Sequence, residues 1–138
     1  MTDYVRRSTL LILLFFLLTG CGDQTKQIKE EQQLARSWAS SVALIGHSWA
    51  RRYTTTRFAS KALERSKQAV EKEAQSFGSK KFQQEEAREV LASLKEIANL
   101  AGEMQSAVVS ENGGALQKPL GELRQKQEQM KTRDEKDF

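Results

Sequence analysis

One cysteine, one proline and one histidine stand in 138 residues, and each scarcity closes off a class of structure or chemistry. A single cysteine cannot close a disulfide within the chain. A single histidine, with no second imidazole and no spare thiol, leaves a transition-metal site only carboxylates to work with. One proline, few β-branched runs and abundant Ala, Glu, Gln, Lys and Arg favour helix over strand. No glycine-rich phosphate loop occurs; Asn112-Gly113-Gly114 reads as a helix stop. Ser40-Ser41 has no base to activate it. The carboxylate pairs Glu71/Glu73 and Glu85/Glu86 fall on solvated helix surface, where a glycosidase would need two acids flanking a cleft. Nothing here reads as an enzyme, and no cofactor or metal is implied.

Long apolar runs are also missing, save one. Leu10–Leu18 reads LLILLFFLL behind Arg6 and Arg7. A basic start, a short apolar run and small residues at its exit are the signature of a secretory signal. Nine residues make roughly 14 Å of helix, against about 20 residues needed to span a bilayer core. Arg6-Arg7 alone does not make a twin-arginine signal, because the run is very apolar and the rest of that motif is absent.

The run ends in Leu18-Thr19-Gly20-Cys21, which resembles the lipobox of bacterial lipoproteins: a Leu, two small residues and the Cys that receives the lipid. The resemblance covers about 21 residues. It implies lipid transfer to the Cys21 thiol, cleavage before Cys21 and acylation of the new terminus. Two or more acyl chains make such an anchor stable, where one is marginal. Asp directly after the Cys is the usual inner-membrane retention signal of such proteins; here Gly22 stands there and Asp23 follows. The resemblance therefore favours the periplasmic face of the outer membrane.

Residues 1–20 hold two of the 22 basic and one of the 18 acidic residues, so the remaining 118 carry a net charge of +3. That mild excess does not call for nucleic acid, which an exported protein rarely meets. Roughly a third of the mature residues are apolar, below the usual share, so narrow helix–helix seams are expected rather than a large core.

Residues 21–31 read as a polar, lipidated tether. From there Leu34, Trp38, Val42, Ile45, Trp49 and Tyr53 recur at helical spacing, and the stripe continues through Thr56, Ala59, Leu63, Val70, Ala74 and Phe77. Gly46 and Thr54-Thr55-Thr56 are candidate points for a break or a bend, yet one long, kinked helix over about 32–77 is favoured over two. Gly78 suits a helix-ending left-handed position and Ser79 an N-cap. A second helix over about 80–109 carries Ala87, Val90, Leu94, Ile97, Ala101, Met104 and Val108 in a strict heptad seam. Leu91 and Ala98 widen it; Ala87, Ala101 and Gly102 permit close approach of a partner helix. A weaker third helix, about 119–131, opens at Pro119. From Arg124 the chain has almost nothing to bury and is expected to fray, with 132–138 disordered.

The expected architecture is all-α: an antiparallel helical hairpin over 32–131 with a shorter third helix and a polar tail. Between residues 51 and 67, Arg51, Arg52, Arg57, Lys61, Arg65 and Lys67 meet one acid, Glu64, and Trp49, Tyr53 and Phe58 interleave with them. Trp49, Arg51, Arg52, Tyr53, Arg57 and Lys61 form the candidate interaction patch, although Trp38, Trp49 and Tyr53 also suit a core. The expected role is non-enzymatic, a helical surface offered to an envelope protein or to a second copy. The alternative is a binder of lipid headgroups or wall polymers through residues 49–67.

Overall fold

The computed structural model describes the backbone of residues 2–136 and the side chains of residues 22–133 and 136. The side chains of the signal segment and lipobox, Cys21 included, lie outside the described residues, as do residues 137 and 138 of the expected tail. All regular structure among the described residues is helical: α1 (Thr2–Ala50), α2 (Thr56–Ser79), α3 (Glu85–Val109) and α4 (Gly113–Lys136).

Side-chain contacts fix the directions. Glu31 of α1 meets Glu73 near the end of α2, so α1 and α2 run antiparallel. Thr56 reaches Glu111 at one end of the α2–α3 pair, and Gly78 lies against Leu91 at the other. Lys126 and Arg133 of α4 pair with Glu96 and Glu89 of α3. Gly46 of α1 lies against Met104 of α3 and Leu120 of α4. The result is an up-down-up-down bundle in which α1 and α3 each pack on all three other helices, while α2 and α4 flank them without touching.

That arrangement explains which α1 residues are buried. They are Ile28, Glu31, Ala35, Ala39, Val42 and Gly46, spaced three, four, four, three and four apart. Three of the six are Ala or Gly, which lets α1 approach α3 closely. The larger residues of the expected stripe sit to one side: Trp38, Ile45 and Trp49 pack at the margin of the core, Leu34 is partly exposed, and Tyr53 is open to solvent. Helix α1 continues unbroken through Gly46, where an added Cβ would press on the side chains of Met104 and Leu120.

The single helix over 32–77 is two helices, broken at residues 51–55. Thr54-Thr55-Thr56 lies at this break; Thr55 is the N-cap of α2, its hydroxyl accepting the Phe58 N–H at 3.2 Å. The α2–α3 boundary lies slightly later than Gly78-Ser79 suggests. Both residues remain helical, and the turn occupies 80–84, with Lys81 at φ 52°. Phe77 and Phe82 pack across it with ring centroids 5.0 Å apart, an apolar clasp that carries the helix past its glycine.

In α3 the heptad seam is buried as expected, but Leu100 and Ala107 are buried too. The apolar face is wider than a two-stranded seam because three helices surround it. Helix α4 starts at Gly113, six residues before Pro119, since Asn112 Oδ1 accepts the Ala115 N–H at 3.1 Å and caps it. Pro119 is therefore an interior proline, buried, with no N–H for the Ala115 carbonyl. Rather than fraying from Arg124, α4 continues to Lys136, held by buried Met130 and the two ion pairs to α3. The expected tether is likewise helical from Gly22 onward; Gln24 accepts a hydrogen bond from Gln84, and Ile28 is already in the core.

Candidate functional site

The end of the bundle furthest from Cys21 is assembled from two similar helix terminations. At the end of α1 the Arg52 N–H bonds to the Trp49 carbonyl at 2.9 Å and the Tyr53 N–H to Ser48 at 2.8 Å. At the end of α3 the Glu111 N–H bonds to Val108 at 3.0 Å and the Asn112 N–H to Ala107 at 2.9 Å. Both are Schellman motifs. In each the left-handed position, which glycine usually fills, holds a charged residue: Arg52 at φ 60° and Glu111 at φ 52°. A left-handed non-glycine residue costs about 1–2 kcal/mol.

The two terminations are tied through Thr56. The Trp49 indole N–H donates to Thr56 Oγ1 at 3.1 Å. The Thr56 hydroxyl in turn donates to Glu111 Oε1 at 3.5 Å, a long contact. Trp49 is thus half-buried and engaged in packing; of the six candidate patch residues it is the one that does not face solvent. Tyr53, by contrast, is 78% exposed, and Phe58 is 63% exposed. Tyr53, a core candidate from its spacing, is a surface residue because the chain leaves the helix just before it.

Arg51, Arg52, Arg57, Lys61 and Arg65 are all exposed. Lys61 pairs with Glu64 at 3.2 Å, a surface pair of little energetic weight. Arg51, Arg52, Arg57 and Arg65 make no ion pair among the described residues. Phe58, Lys61 and Arg65 share one face of α2 at steps of three and four. Val109, also at this end, is 61% exposed. The tip therefore offers exposed apolar surface among uncompensated guanidinium groups on a braced backbone.

The opposite end has a different character. Glu31 is buried, and its carboxyl is raised from its ordinary 4.5 to about 7 by burial first, then by the charge of Glu73 and a hydrogen bond to it; Lys80 acts the other way. Two carboxyl groups joined by a hydrogen bond must hold a proton between them. Oε1 of Glu31 and Oε1 of Gln84 are buried with no partner among the described residues. Glu31 is legible in hindsight, since it falls on the Ile28–Ala35–Ala39 spacing.

Elsewhere open grooves run between helices. One, about 390 Å³, lies between α3 and α4 beside Glu89, Ser93, Lys126 and Arg133. Another, about 610 Å³, lies between α2 and α3 over Ala74, Gly78, Leu91 and Ala98. Among the described residues no three His, Cys, Asp or Glu side chains come together as a metal site, and His47 is exposed. No helix of the described residues is long and apolar enough to cross a membrane. Comparison with known protein families, curated proteins and solved structures finds no match to this chain.

Proposed function

We propose that this is a lipid-anchored envelope protein, held by an acylated Cys21 on the periplasmic face of the outer membrane, that works by protein interaction or assembly rather than catalysis. The observation that carries the reading is the placement of the two ends. Ile28 is buried only seven residues after Cys21, so little slack separates anchor and bundle. Helix α1 then runs without a break to Ala50, which puts Arg51 about 45 Å along the helix from Cys21 at 1.5 Å per residue. A bundle tied at one end and bearing its exposed aromatic and cationic groups at the other is built like a post that holds a docking surface away from the bilayer.

A second reading, binding of a polyanionic polymer by the same tip, draws on Arg51, Arg52 and Arg57 having no partner charge. The anchor is tested by metabolic labelling with a fatty acid: label on the wild type and none on Cys21→Ser, which should leave the membrane fraction or remain unprocessed. Equal labelling of both would refute the anchor.

A further inference from the structure

Resting on the protein-docking reading above, we infer that the distal tip inserts Tyr53 and Phe58 into an apolar pocket rimmed by carboxylates on an acidic protein partner. Four observations meet at this end. Tyr53 and Phe58 are 78% and 63% exposed, although each has enough apolar surface to favour burial. The cations around them are mostly arginine: Arg51, Arg52 and Arg57, with Lys61. Arginine's planar fork suits paired hydrogen bonds to carboxylates at an interface better than lysine's point charge does. None of the three guanidinium groups is neutralised within the chain among the described residues, so each is open to a carboxylate supplied by a partner. The backbone beneath them is fixed in advance by the Schellman closure at Arg52, the Thr55 cap and the Trp49–Thr56 bond, which lowers the entropy lost on docking.

A polyanionic polymer would satisfy the arginines but has no use for Phe58, which can neither donate nor accept a hydrogen bond. Aromatic anchors ringed by polar and charged groups are the anatomy of a protein interface, where Tyr and Arg dominate the energetic centre. The left-handed conformation of Arg52 places its charge immediately before Tyr53 at the crest of the turn, so aromatic and cation are presented together.

The test uses the full, lipidated protein in its own envelope, with a photo-crosslinking benzoylphenylalanine placed in turn at Leu44, Tyr53 and Gln83. Gln83 lies in the turn at the anchored end, and Leu44 is an exposed residue on the side of α1. The expected result is an adduct from position 53 to a peptide dense in Asp and Glu. Its yield should fall about tenfold or more with Phe58→Ala or Arg52→Glu, the loss typical of an interface centre, with helicity unchanged. Adducts that form only from Leu44 or Gln83, or that join position 53 to a neutral or basic peptide, would overturn this inference and leave the protein-docking function standing. No protein adduct from any position, with retention of the purified protein on polyphosphate beads that Arg52→Glu abolishes and Phe58→Ala spares, would overturn both in favour of the polymer.

Discussion

Gly46 is where α1 meets α3 and α4 with the least room for a side chain. A Cβ added there would lie 2.2 Å from Cε of Met104 and 3.1 Å from Cδ2 of Leu120. Both neighbours are ends of flexible side chains, and Met in particular can repack. Gly46→Ala therefore gains about 1 kcal/mol of helix propensity against a repacking cost of similar size, and should leave stability within about 1 kcal/mol of the wild type. Gly46→Val is different. It adds two further carbons beside a Met104 that has no exposed surface, and it should cost about 1–3 kcal/mol by overpacking. Met104→Ala alone should cost about 2–5 kcal/mol through the cavity it leaves. Since the valine would occupy part of that cavity, the double variant should cost less than the two singles combined, by about 0.5–3 kcal/mol of coupling. Urea unfolding followed at 222 nm on the chain from Gly22 reads all four numbers. Additive effects, or a Gly46→Val protein as stable as the wild type, would mean that α1 does not pack on α3 at this point.

The buried Glu31 carboxyl makes stability depend on pH. Its folded value near 7 lies above its unfolded one of 4.5, so the folded chain holds the proton more tightly. The stabilising contribution is complete below about pH 4.5, declines as pH rises and is gone above about pH 7. Denaturation midpoints at pH 5 and pH 8 should differ in the wild type, and Glu31→Gln should flatten the difference; a wild type with equal midpoints would remove the buried pair. Lys81→Gly should raise stability by about 0.5–1 kcal/mol in the same assay, because glycine accepts φ 52° without the strain lysine bears; a loss would contradict the left-handed turn. Deleting residues 132–138 should cost no more than about 1 kcal/mol, since it removes one surface ion pair of Arg133. Deleting from Arg124 should cost several times that, because buried Met130 and the Lys126 pair go with it; equal effects of the two deletions would restore the frayed tail.

The all-α architecture was legible because the seam of α3 is a long apolar pattern with only one regular solution. The seven residues from Ala87 to Val108 that recur at steps of three and four are all buried. The helix count was harder to read. Thr54-Thr55-Thr56 looks like three poor helix formers inside a continuing stripe, and the stripe does resume in phase at Ala59. What decides the break is Arg52 in a left-handed conformation, which side-chain type does not announce. The same holds at Glu111 and Lys81: every glycine with an assigned φ avoids the left-handed region, so the usual signal pointed to the wrong residues. The buried face of α1 is not the one its large residues mark: Ala35, Ala39 and Gly46 turn inward, while Trp38, Ile45 and Trp49 sit at the margin of the core. At the tip, the cations and aromatics were visible as a cluster in the chain. Which aromatic turns inward and which outward depended on where α1 ended.

The most direct measurement is the height of the tip above the membrane. A dye placed at position 53 through Tyr53→Cys, on the lipidated protein in vesicles carrying acceptor-labelled headgroups, reads that distance by energy transfer. An end-anchored post puts the dye about 45 Å from the headgroup plane; a dye within about 20 Å of it, the thickness of two helices lying flat, would contradict the proposed arrangement of anchor and docking surface.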